Sequence, residues 1–302
     1  MLITELMKLG ISLEDIICIS REKFSQTSFS AADIENLLDP YLNTSYLPYL
    51  EYHVADHCNL NCKACEHYAP LVKTPIFTDY EQFKKDLFQL KTFISDIGMI
   101  RIMGGEPLLN NELKKFILLT RHLYPDSVIQ VVTNALLLEK MDDELFYLMK
   151  QLKVMFWISY YPPMEKKMEW IHSFLDSKGV EHGISPKMDY FTMKQNLNGN
   201  SDAANVFYSC FQAHCNNIYD GKIAACFLPF TTKYFNEQFG YNLPMDGAVD
   251  LYDPTLTTEK LKLALFTPFE RCKFCNSYST KIDWTQASKE PTLSDWISGY
   301  SL

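Results

Sequence analysis

The chain has 302 residues, enough to bury a full core, and its formal net charge of −9 leaves no concentrated basic surface for nucleic-acid phosphates. Its longest apolar runs, such as Phe116 to Leu119 and Val154 to Ile158, are far too short to span a bilayer, and the N-terminus lacks the basic and apolar blocks of an export signal. A cytoplasmic protein with neither a nucleic-acid nor a membrane partner is expected, and in that compartment nine cysteines call for a role other than disulfides.

In chain order, residues 1 to 46 predict an N-terminal segment of two short amphipathic helices, roughly Ile3 to Ile19 and Ala31 to Leu38, ended by Asp39-Pro40. Cys18 in the first is expected to be a buried core thiol. From Tyr49 strand and helix alternate. Strands are predicted at Tyr49 to Ala55, Met99 to Met103, Val128 to Thr133, Val154 to Tyr160 and Val180 to Ile184. Helices are predicted between them at Asp79 to Ile94, Asn111 to Leu123, Asp142 to Leu152 and Glu165 to Ser177. Such alternation implies an α/β fold with parallel strands and crossover helices, closed or partly closed as a barrel. After about Tyr190 it stops. Asn196 to Ala204 reads as a linker, and Ile218 to Cys226 as a hairpin turning at Asp220-Gly221, where Asp-Gly suits a tight turn needing positive φ. An irregular module from residue 201 to 302 carries the remaining cysteines, as metal-held domains often do.

Two motifs sit just after strands, where barrel enzymes place their active sites. The first is Cys58-x3-Cys62-x2-Cys65, three soft thiolates on one loop that match the irons of a cubane cluster and leave its fourth iron open. The second is the turn Gly104-Gly105-Glu106-Pro107, in which glycines allow a close backbone approach and a carboxylate favours an ammonium. Together they resemble the radical S-adenosylmethionine (SAM) superfamily. The resemblance implies a partial (βα)6 TIM-type barrel over residues 47 to 200. It makes Cys58, Cys62 and Cys65 the ligands of a 4Fe-4S cluster whose fourth iron is chelated by the methionyl group of SAM, and it sets Gly104, Gly105, Glu106 and Pro107 against the methionyl amine. Thr133-Asn134-Ala135 resembles the family's Thr-Asn-Gly, and Ser159 the serine that contacts the ribose. Where the family commonly has an aromatic residue before the third cysteine the chain has Ala64, so His67 or Tyr68 is expected to cover the adenine instead. A zinc knot completed by His57 or His67 is the alternative for the triad, but it leaves the glycine turn and the barrel unexplained.

Cys210-x10-Gly221-x4-Cys226, followed after a gap by Cys272-x2-Cys275, resembles the C-terminal twitch domain, the shorter relative of the SPASM domain. That implies Cys210, Cys226, Cys272 and Cys275 as ligands of a second, auxiliary 4Fe-4S cluster with no open iron, suited to passing electrons. Zinc competes here too, because Cys-x2-Cys pairs suit both metals. Cys215 is left over, as an idle thiol, an alternative cluster ligand, or a catalytic hydrogen-atom donor. The resemblance implies reductive cleavage of SAM to a 5'-deoxyadenosyl radical, hydrogen abstraction from a substrate, and an external one-electron reductant such as flavodoxin or ferredoxin. The expected outcome is oxidation or epimerisation of a sugar or other small molecule. A peptide-modifying maturase and a non-catalytic electron-transfer or redox-sensing protein are the alternatives. Arg101, Trp157, Tyr161, His182 and Lys187 are candidate substrate contacts.

Overall fold

A computed structural model describes residues 44–297. The two expected N-terminal helices and Cys18 lie outside the described residues. The chain runs through β1 (Tyr46–Ala55), α1 (Tyr80–Phe93), β2 (Asp96–Gly104), α2 (Leu113–Leu123), β3 (Val128–Thr133), α3 (Asp143–Gln151), β4 (Val154–Ile158), α4 (Met168–Lys178) and β5 (His182–Ile184). All five strands pair in parallel, in the order β5-β4-β3-β2-β1, with the helices as crossovers. The predicted alternation is therefore present, as the mostly parallel sheet of a partial barrel.

Strand faces divide cleanly. On β1, Leu50, Tyr52 and Val54 enter the core under the helices, where the Tyr52 ring lies 4.3 Å from Phe83 of α1 and its hydroxyl bonds Thr120 of α2. The opposite face carries Tyr49, Glu51 and His53, in register with Met99, Arg101 and Met103 of β2. Successive strand side chains point to opposite faces, so these residues and the β3 residue paired with Arg101, Gln130, line the concave side. Side-chain caps start the helices: Asp79 accepts from Gln82 N ahead of α1, and Asp142 from Leu145 N ahead of α3.

Beyond β5 come β6 (Tyr190–Gln195), α5 (Ala203–Ser209), β7 (Asn217–Tyr219), β8 (Lys222–Ala224), α6 (Leu228–Phe239), β9 (Ala248–Asp250), α7 (Thr258–Leu265) and β10 (Cys275–Asp283). β6 does not continue the barrel; it pairs antiparallel with β10. β7, β8 and β9 extend the main sheet past β1, with β7 parallel to β1 and an antiparallel hairpin following. The expected linker is an irregular loop tied by Asn196, whose amide bonds Asn200 and Ser201, and α5 begins inside its far end. The hairpin turns at Asp220 (φ 46°) and Gly221 (φ 75°), the doubly positive geometry that Asp-Gly favours. Buried Asp86 of α1 accepts from Gly221 N at 2.8 Å, fixing the hairpin against the barrel.

Candidate functional site

The cysteine loop leaves β1 at Ala55 and meets the glycine turn at once. Gly105 N donates to Ala55 O at 2.7 Å and Glu106 N to His57 O at 3.1 Å. A β-carbon on Gly104 would lie 2.0 Å from Ala55 O, and one on Gly105 would lie 2.2 Å from His57 O. The glycines thus admit the chain's own backbone, a tighter demand than the ligand approach read from the sequence. Pro107 follows as the first residue of a short 3-10 turn, Pro107–Leu109.

Glu106 is 1% exposed and ties three elements together. Its carboxylate accepts from the Thr133 hydroxyl at 2.6 Å, Asn134 N at 2.9 Å and Leu108 N at 3.1 Å. Burial pushes its pKa up to about 7, against the opposing pull of those hydrogen bonds. Asn134 carries the link onward: its amide donates to Asn59 Oδ1 at 2.7 Å and reaches Cys58 Sγ at 3.7 Å. Ala135 holds φ 60°, the left-handed conformation that a glycine in this place would adopt without strain. The Glu106 side chain is therefore largely engaged within the protein, bracing the end of β3 against the cysteine loop.

The three thiols share this loop, and Cys62 and Cys65 both act on Cys58. Burial raises all of their pKa values, that of Cys62 to about 12, so metal capture at neutral pH must release protons. Leu60 N lies 3.3 Å from Cys58 Sγ, and the Trp284 indole N–H lies 3.3 Å from Cys62 Sγ. Trp284 belongs to a C-terminal strap over the loop. Lys63 N bonds Thr285 O, Ala287 N bonds Asn61 O, Ala64 N bonds Asp295 O, and Trp296 Nε1 bonds Cys65 O. No spacing rule in the sequence indicates this long-range contact.

Other expectations fare unevenly. Ser159 follows the end of β4, where its N–H bonds Thr133 O at 2.9 Å; burial and then the three thiols push the Tyr161 phenol up. His67 and Tyr68 do not offer a free ring for an adenine. His67 stacks on Phe227 at 3.9 Å and bonds His53, while the Tyr68 hydroxyl bonds Gln195 at 2.8 Å. Their rings thus contact residues after the barrel, Phe227 and Gln195, and Ala64 and Tyr68 both hold φ 56°. Arg101 faces the concave side, bonding Gln130 at 2.8 Å, with its guanidinium 5.4 Å from the Trp157 ring. His182 is in register with helix-facing Phe156 and bonds His172, and Lys187 pairs with Glu165, so neither joins that face.

Four of the later cysteines, Cys210, Cys226, Cys272 and Cys275, line one cavity of about 270 Å³. Cys215 is outside its lining; it lies between this group and the barrel residues Glu51 and Arg101, its thiol pushed well up by burial and then by Glu51. Arg271, 1% exposed, also lines the cavity, as does Lys194, which pairs with Glu66 at 3.1 Å. Among the described residues, no three His, Cys, Asp or Glu side chains converge at the spacing of a single metal ion. No described helix is long and apolar enough to cross a membrane.

No protein-family model matches the chain. It is 36% identical over 101 residues to a GTP 3',8-cyclase of Clostridium acetobutylicum, covering 33% of this chain and 31% of the relative. It is likewise 36% identical over 106 residues to that of Sulfurimonas denitrificans, covering 34% and 32%. The matched stretch thus spans about a third of the length of these curated relatives. Among solved structures, BtrN in complex with AdoMet and 2-DOIA aligns over 78% of this chain and 98% of its own, at 16% identity and a TM-score of 0.49. In this chain the cysteine loop and the glycine turn stand at the ends of successive parallel strands.

Proposed function

We propose that the chain is a radical SAM enzyme in which Cys58, Cys62 and Cys65 hold a 4Fe-4S cluster, and Gly104 to Pro107, Thr133, Asn134 and Ser159 shape the SAM site. The observation that carries this reading is the network joining Glu106, Thr133 and Asn134 to the cysteine loop, because it fixes the glycine turn, the end of β3 and Cys58 as one unit. The donor set fits the cluster: three soft thiols on one loop, with N–H groups of Leu60 and Trp284 directed at two of the sulfurs. Cluster and SAM together would supply one-electron cleavage of SAM to methionine and a 5'-deoxyadenosyl radical, a group able to take hydrogen from an unactivated carbon. The protein's own work is then orientation and the exclusion of water.

Cys210, Cys226, Cys272 and Cys275 would hold an auxiliary 4Fe-4S cluster. A cavity of about 270 Å³ among four thiols favours a multi-atom core over zinc, whose sulfurs close to about 2.3 Å around one ion. For substrate, the concave face is polar, with Tyr49 bonded to Glu51 and Arg101 to Gln130, which suits a polar small molecule such as a sugar, oxidised or epimerised. The relatives' names favour a second reading, cyclisation of GTP. The test is EPR of the Cys210→Ser/Cys226→Ser protein, anaerobically reconstituted and reduced. SAM is expected to perturb the remaining signal, and no perturbation refutes SAM binding at the first loop. Product analysis with a sugar panel and with GTP then separates the two substrate readings.

A further inference from the structure

Arg271 is a fully buried cation with no carboxylate partner among the described residues. An isolated buried charge is expensive, and an ionised arginine in such a place calls for an anion. Its contacts show where that anion belongs. Nη1 lies 3.6 Å from Cys275 Sγ and donates to Phe274 O at 3.1 Å. Nη2 donates to Gln195 Oε1 at 2.7 Å and reaches the Tyr68 hydroxyl at 3.3 Å, while Nε donates to Thr232 Oγ1 at 3.1 Å. The titratable groups that act on it are Tyr68, Cys275 and Cys226. The second cation on the cavity, Lys194, is already paired with Glu66.

We infer that Arg271 is the charge partner of the auxiliary cluster, a positioning residue that sets its reduction potential and couples it to the first cysteine loop. The inference rests on the proposed auxiliary site. A positive charge and an N–H directed at a ligand sulfur both stabilise the more negative, reduced cluster, and so raise its potential. The same guanidinium, through Gln195 and Tyr68, reaches the loop three residues beyond Cys65. Tyr68 N in turn bonds Cys65 O at 3.0 Å. One side chain thus contacts a thiol of the second group and is two hydrogen bonds from the backbone of the first.

The test is redox-poised EPR on the reconstituted protein and its Arg271→Gln variant, with iron counted in both. With about eight irons retained per chain, the variant's auxiliary midpoint is expected to fall by at least tenfold in the reduction equilibrium, about 59 mV for one electron. Lys194→Gln, which removes a charge already paired, is expected to move it less. An unmoved midpoint at full iron content overturns the inference, as does a larger shift in Lys194→Gln. If Arg271→Gln does not fold, Arg271→Lys carries the test: its ammonium cannot reproduce the forked contact with Cys275, so a fall of about threefold is expected and an unchanged midpoint refutes it. A wild-type protein that holds about four irons overturns the auxiliary site itself, and the inference with it.

Discussion

Glu106→Gln probes the network on which the candidate site rests. Glutamate has an ordinary pKa of 4.5, and burial raises that of Glu106 to about 7 in the folded protein. For an acid whose folded value is raised, the associated stability is fully present below pH 4.5 and is lost as pH rises through 7. Between pH 5.5 and pH 8 those two values correspond to a loss of about 2 kcal/mol in the wild type that a glutamine cannot show. The amide also turns a donor toward Asn134 N, now 2.9 Å from a carboxylate oxygen, and leaves that N–H unsatisfied at a cost of about 1–3 kcal/mol. The variant is therefore expected to be less stable than the wild type at pH 5.5, with the gap narrowing by about 2 kcal/mol by pH 8. Urea unfolding of the metal-free proteins at several pH values measures both effects. Parallel pH profiles would show that Glu106 does not titrate near 7, and the reasoning from burial would fail.

Gly105→Ala drives a β-carbon to 2.2 Å from His57 O and is expected to cost at least ~3 kcal/mol and to abolish iron loading, as read by thermal unfolding and iron content. Ala135→Gly should stabilise the protein by up to ~1 kcal/mol in urea unfolding, because glycine adopts φ 60° without strain. Cys210→Ser is expected to retain about four irons and Cys215→Ser about eight; the reverse would exchange their roles. Trp284→Phe keeps the ring but removes the N–H at Cys62 Sγ, and should lower the midpoint of the first cluster without loss of iron.

Much of the barrel is legible in the sequence because local rules suffice there. Val128–Thr133 is the strand expected, and the Asp79 and Asp142 caps sit within a residue of the predicted helix starts. The pairing of the next strand is not legible, because whether residues 190–195 pair with β5 or with β10 depends on partners 80 to 93 positions away. The same limit applies at the site. Cys58, Cys62 and Cys65 stand out by spacing, whereas Trp284 reaches Cys62 from 222 residues away. Arg271 is visible as the residue before Cys272, yet nothing in its neighbours tells that it is buried without a carboxylate. His67 and Tyr68 illustrate the opposite error: nearness in sequence to the triad directs attention to the SAM site, while the rings engage Phe227, His53 and Gln195. Cys210, Cys226, Cys272 and Cys275 line one cavity that Cys215 does not, a grouping visible only in the tertiary structure.

The most direct measurement is formation of 5'-deoxyadenosine after anaerobic reconstitution with iron and sulfide, addition of SAM, and reduction with dithionite. The account predicts about eight irons per chain and release of 5'-deoxyadenosine that is lost in Cys58→Ala. Bound zinc in place of iron, or reduced clusters with no cleavage of SAM, would contradict it.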